Sequence, residues 1–181
     1  VGANASHRFA GPIFPNGTFE FLPIPEDWNC FSEHAVKYAD LRSYNYPAKT
    51  LLDYVPRRLW EWPAHHDPEF ETFTYGDNCA VSPRASALRQ LKRDDVLLFL
   101  ARLQKWARCG PTNQYGFYLV GYLHIEDIVA NVVRRPPPAL LAQICANAHV
   151  RRGLSDTEWW DSFWVFRGSN NSRRFRRAVP V

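Results

Sequence analysis

No apolar run in this chain approaches the roughly 20 residues needed to cross a bilayer, so no membrane-spanning helix is expected. No charged-then-apolar leader opens it either. The sequence as given starts at Val1 rather than Met, which leaves room for a short stretch ahead of it. On what is present, the expected location is the cytoplasm. Cysteine is sparse: Cys30, Cys79, Cys109 and Cys145 lie far apart with no C-x-x-C pair. Such spacing offers neither a disulfide framework nor a zinc knuckle, and four reduced, mostly buried thiols are expected. Three matches to the glycosylation sequon, beginning at Asn4, Asn16 and Asn170, are read as chance in a chain without a secretory signal. The phosphate loop G-x-x-x-x-G-K-S/T is missing, as are G-x-G-x-x-G after a strand, the G-x-S-x-G elbow and H-E-x-x-H. Those absences argue against common ATPases, dehydrogenases, esterases and zinc proteases, and no cofactor is expected.

What is present is apolar surface. Hydrophobic residues make up 46% of the 181 residues and aromatics 15%, enough for a real core. Fourteen prolines favour many turns and short elements over long helices. Strands are expected at 18–22, near 70–75, at 95–103, at 115–125 and at 162–167. The run at 95–103 is nearly continuous apolar, as for a strand buried on both faces. Gly116 and Gly121 interrupt the next one and suggest a bulge or tight bend. Helices are expected around 32–39, at 83–91 behind Ser82-Pro83, at 138–146, and at 169–178. A further helical turn is expected at 50–54, and Gly76-Asp77 reads as a chain turn. No repeat and no long linker divides the chain, so one α+β domain over 1–181 is expected.

The net charge of +4 permits a polyanionic partner without demanding one. Arg151, Arg152, Arg167, Arg173, Arg174, Arg176 and Arg177 crowd the C-terminal end, and Arg binds phosphate in a fork. A solvated helix face explains them as well. Ser169-Asn170-Asn171-Ser172 would open the terminal helix, where free N–H groups and small hydroxyls suit a phosphate held with Arg173 and Arg174. An ordinary helix cap is the plain alternative.

His65-His66-Asp67 is the densest cluster of chemically able side chains. Neighbours on a strand point to opposite faces, so the two histidines are poor partners for one metal, and no metal is expected. A polar turn ahead of Pro68 is the plainer account of the cluster and, on local evidence, the favoured one. Tyr75, Gly76 and Asp77 could meet a ligand closely. Asn147 offers donor and acceptor in one plane for a base edge, and His149 follows it; both residues are also plausible caps. Trp159 and Trp160 could stack on a base, although core packing is the commoner fate of tryptophan.

The segments VGANASHRFAGPIF, FEFLPIPE, HHDPEFETFTYGD, LKRDDVLLFLARL with YGFYLVGYLHI, NAHV and FRGSNNSRRFRRAVPV run in one line through the chain. That series resembles the nucleotide-modification-associated domain of the third type, and FEFLPIPE and DPEFETFTYGD are its most specific pieces. The paired apolar strands also resemble PUA-like domains, a group that includes ASCH, EVE and YTH modules. What this implies is a small, strongly curved mixed β-barrel with flanking short helices and a pocket for a base or nucleotide. Other modification-system proteins would be natural partners. EVE and YTH modules read modified bases in an aromatic cage, but no cage residue aligns here.

Two expectations follow. In the first, the domain reads a modified base in DNA or RNA. His66, Asp67, Tyr75, Gly76, Asp77, Asn147, His149, Asn4 and Trp160 would supply the pocket, and Ser169, Ser172, Arg173 and Arg174 would hold phosphates. In the second, it is an enzyme that hypermodifies or processes a base or nucleotide. His66 or His149 would then be the general base, with Asp67 or Asp77 as orienter or second carboxylate.

Overall fold

A computed structural model describes residues 10–27 and 34–181. Its centre is an antiparallel hairpin of β5 (Val96–Ala107) and β6 (Gly110–Val132), in register with Leu97 opposite Leu123 and Ala101 opposite Tyr118. Along β5, Leu97, Phe99, Ala101 and Leu103 are buried, while Val96 and Leu98 are each about half exposed. Side chains alternate across a strand, so only one face of β5 is covered. The expectation of burial on both faces is thereby corrected; the continuous apolar run reflects an outer face left partly open.

β6 outlasts its hairpin partner. Its second half pairs with β7 (Phe163–Gly168), and its first half also takes β8 (Arg173–Pro180). β7 and β8 follow one another antiparallel to β6, separated by the short segment 169–172. β1 (Gly11–Ile13) joins β5 in parallel and β4 (Thr74–Asp77) joins β7 antiparallel. The order is β1-β5-β6-β7-β4, with β8 beside β6. A separate two-stranded ladder pairs β2 (Ile24–Pro25) with β3 (Ala64–His65).

The register shifts between Phe99 and Leu100 against β6, and again between Leu119 and Gly121 against β8. Gly121 thus sits at a bulge, as its place in an apolar strand suggested. A Cβ there would lie 2.6 Å from the Arg173 carbonyl oxygen and 2.7 Å from Phe70 Cε1, so no side chain fits. Bulges bend the strand, but among the described residues no ladder joins the two ends of the sheet. The α+β reading stands; closure into a barrel does not.

Helices are few. α1 (Pro138–Ile144) lies where the spacing of Leu141 and Ile144 placed it, and α2 (Ala148–Ser155) follows. The expected helix at 83–91 is reduced to a 3-10 turn at Ser86–Gln90, and 3-10 turns also occupy Tyr38–Asp40 and Leu52–Tyr54. Part of the expected helix at 32–39 lies outside the described residues. The strand expected at 18–22 shrinks to a single bridge of Phe19 to Ile13. Gly76 and Asp77, read as a turn, belong to β4.

The terminal helix expected at 169–178 is a strand. Ser172 Oγ accepts the His124 N–H at 3.1 Å, and Ser169 Oγ meets His124 Nδ1 at 2.9 Å. These bonds anchor the 169–172 corner, and β8 then pairs with an edge of β6 whose N–H and C=O groups would otherwise need other partners. Helical propensity loses to that long-range pairing.

Three apolar clusters hold the molecule. Phe19, Phe21, Phe99, Leu103, Ile125 and Phe166 fill the first, against the sheet. Leu22, Tyr38, Leu41, Leu51, Val55 and Ala64 form the second. Val132, Ile144, Val150, Trp160, Phe163 and Val165 form the third, where the helices meet β7. No helix among the described residues is long and apolar enough to cross a membrane. Cys79 is buried, but Cys109 and Cys145 are exposed, against the expectation of mostly buried thiols.

Candidate functional site

Each cluster delivers one wall of a cavity of about 430 Å³. β3 begins with Ala64 of the second cluster and carries His65, with Asp67 two residues on. β4 carries Tyr75 of the first cluster, with Gly76 and Asp77. α2 begins with Ala148 and His149, immediately before Val150 of the third. Glu26, just after β2, and Arg152, one turn along α2, add one acid and one base to the lining.

At the floor, Asp67 Oδ2 lies 3.7 Å from His149 Nε2 and 4.0 Å from His65 Nε2. The His65 and His149 rings meet edge to face, 4.9 Å between centroids. Asp67 Oδ2 accepts the Gly76 N–H at 2.8 Å. Its other oxygen, Oδ1, is buried and has no partner among the described residues. Burial pushes the Asp67 carboxyl well above the usual range; the Gly76 N–H acts against this, and the Asp77, Glu69 and Glu26 charges add to it. Burial, then the neighbouring His65 and Arg152, holds His149 well below the ordinary histidine value.

His65 Nδ1 bonds Glu26 Oε2 at 2.8 Å. Burial pushes Glu26 up, but that hydrogen bond and the nearby positive groups outweigh it, and its pKa is lowered. Arg152 Nε stands 3.7 Å from Glu26 Oε1, and its guanidinium lies 4.0 Å from the Trp159 ring. On the β4 wall the Tyr75 hydroxyl donates to Asp77 Oδ2 at 2.7 Å, and burial, then the Asp77 charge, raises the phenol.

Asn147 is fully buried behind the cavity. Its Oδ1 accepts the His149 N–H at 3.0 Å as the cap of α2, while Nδ2 finds no partner among the described residues. It sets the start of the helix that carries His149. A Cβ on Gly76 would lie 2.6 Å from His149 Cδ2 and 2.8 Å from Asn147 Oδ1. Gly76→Ala must therefore displace His149 or the α2 cap. It is expected to cost about 1–3 kcal/mol as overpacking, read as a lowered midpoint in thermal unfolding.

Of the residues singled out from sequence, Asp67, Tyr75, Gly76, Asp77 and His149 line this cavity, with Asn147 behind it. His66 faces the other way, into a larger cavity of about 550 Å³ with Glu69, Phe70 and Arg151. Burial lowers it to about 4, against the pull of the Glu69 charge. Trp160 stacks on Phe163 in the third cluster, and a Cβ on Gly153 would touch its ring. Ser169 and Ser172 are tied to His124, and the Arg173 guanidinium bonds the Ser172 carbonyl. Arg174 is buried elsewhere, beside Glu20. Asn4 lies outside the described residues. The arginine-rich stretch expected as a helix is β8 and does not line the cavity, whose described lining holds Glu26, Asp27, Asp67 and Asp77 against Arg152.

Sequence reasoning missed Glu26, named Arg152 only among the C-terminal arginines, and set His65 aside in favour of His66. The signal for His65 was there: in extended chain, residues i and i+2 share a side, so His65-x-Asp67 pairs where His65-His66 does not.

The fold and site define an α+β domain with an acidic, histidine-bearing cavity at the junction of three small cores. The family model for nucleotide modification associated domain 3 matches residues 1–180, and the chain belongs to that family. Membership ties it to nucleotide modification. No curated protein and no solved structure matches it.

Proposed function

We propose that the domain is an enzyme that processes a nucleic acid base or nucleotide in the His65–Asp67–His149 cavity. The observation that carries this is the convergence of His65 and His149 on the buried Asp67, whose Oδ2 faces both rings and whose Oδ1 has no partner among the described residues. A buried acceptor left unpaired costs about 1–3 kcal/mol, a cost tolerated where a ligand supplies the missing bond. Among the described lining residues Tyr75 is the one carbocyclic aromatic, beside two histidines and four acidic side chains that suit acid–base work. The carboxylates of Glu26, Asp67 and Asp77 suit the N–H groups of a base. They repel phosphate, so the phosphates of the substrate stay outside the cavity.

The test is mass spectrometry of nucleotides, and of nucleosides released from single- and double-stranded oligonucleotides, after incubation with the chain. A mass change confined to one base supports processing. Selective binding of a modified oligonucleotide, unaltered in mass, would instead favour reading, the second role open to a member of this family.

A further inference from the structure

The same three side chains have the chemistry of a metal site. Resting on the reading of this cavity as a working centre, we infer that His65 Nε2, His149 Nε2 and an Asp67 carboxylate oxygen bind one divalent first-row transition ion. Their donor atoms all lie within 4.8 Å of one another. Donors about 2.1 Å from a tetrahedral ion stand roughly 3.4 Å apart. The 3.7 and 4.0 Å separations to Asp67 Oδ2 are therefore close to ligation distance and need only a small contraction.

Three further observations point the same way. Asp67 is 5% exposed, and its Oδ1 has no partner among the described residues, a buried carboxyl oxygen left unanswered. A bound cation answers it. His65 gives its Nδ1 to the Glu26 carboxylate at 2.8 Å. A ring that donates Nδ1–H in this way presents the Nε2 lone pair, and a carboxylate behind a histidine is the usual outer support of a ligating imidazole. Finally, the lining carries four carboxylates against one arginine, an imbalance that a divalent cation offsets.

Two imidazoles and one carboxylate select zinc, iron, manganese, cobalt or nickel over calcium and magnesium, which prefer all-oxygen sites. The open side of the cavity leaves coordination positions for water or substrate. Tyr75 and Asp77, on β4, are not ligands and remain to face the base.

Isothermal titration of the chelator-treated full chain with Zn²⁺, and separately with Mn²⁺ and Ca²⁺, decides it. The expected result is one Zn²⁺ per chain, weaker Mn²⁺ and no Ca²⁺ at matched concentration. His65→Ala and His149→Ala abolish that binding, and His66→Gln, on the other cavity, leaves it unchanged. Glu26→Gln, which leaves the ligands in place, weakens it by about 10–100-fold. Zn²⁺ should also raise the unfolding midpoint of the wild type but not of Asp67→Asn, an isosteric change that reports even where an alanine variant folds poorly. Binding that survives both histidine changes, equal affinity for Ca²⁺, or no saturable binding overturns the site. Metal binding without any change in a nucleotide leaves the site standing and sinks processing. Processing that persists in excess chelator does the reverse.

Discussion

Arg174→Ala is expected to destabilise the fold by about 3–5 kcal/mol, the usual consequence of removing one partner from a buried ion pair. For a chain of this size that lowers the thermal midpoint by roughly 6–20 °C. Arg174 Nη2 lies 3.7 Å from Glu20 Oε2 and donates to the Phe19 carbonyl at 3.0 Å. Its planar head sits 4.3 Å from the Phe19 ring and 3.8 Å from that of Tyr44. Burial draws its pKa down to about 10, against the pull of Glu20. Glu20 is itself 2% exposed and accepts bonds from Ser43 Oγ, the Tyr44 N–H and Asn45 Nδ2. Loss of Arg174 leaves that carboxylate buried without its cation. Lysine should rescue little, because it lacks the flat fork that fits between two rings. Arg173→Ala, at an exposed position one residue away, should stay within about 0.5 kcal/mol in urea unfolding. Equal effects at the two positions would contradict this reading of Arg174 as a structural tie from β8 to Phe19, Glu20 and Tyr44.

Asp67→Asn has the largest expected effect on chemistry. The amide keeps the shape and an oxygen for the Gly76 N–H, so the unfolding midpoint should move little. It removes the ionisable, ligating carboxyl beside the two histidines, and conversion of the responsive nucleotide should fall by about 10²–10⁴-fold, the usual worth of a positioned acid–base or ligating group. Asp67→Ala should lose conversion as fully and stability as well, since the Gly76 N–H would then be buried without an acceptor. A variant that converts normally while folding normally would remove Asp67 from the chemistry.

The local signals in the sequence carried part of this structure. The apolar runs at 95–103 and 115–125 place β5 and β6, Gly121 marks the bulge, and the spacing of Leu141 and Ile144 marks α1. What failed was decided at long range. The stretch 169–178 has the look of a capped helix, yet a corner fixed by His124 and the edge of β6 turn it into a strand. Arg174 reads as a phosphate ligand until Glu20, more than 150 positions earlier, is found beside it. Trp160 reads as a stacking platform until Gly153 is found beneath its ring. Within the site, Asp67, Tyr75, Asp77 and His149 were legible from residue type alone. Glu26 was not, because a single glutamate in an irregular segment carries no mark of the histidine 39 positions away that it orients. The choice between His65 and His66 depended on which side of the chain Asp67 occupies, and period-two geometry settles it for His65.

That choice also gives the most direct measurement. His65→Ala and His66→Gln differ by one position in sequence but open onto different cavities. Conversion rates of the two variants should be compared on the nucleotide that the wild type alters, with folding checked by thermal unfolding. If the His65–Asp67–His149 cavity is the working centre, His65→Ala loses conversion and His66→Gln retains it. Retention by His65→Ala together with loss in a folded His66→Gln would move the chemistry to the other cavity and contradict the centre described here.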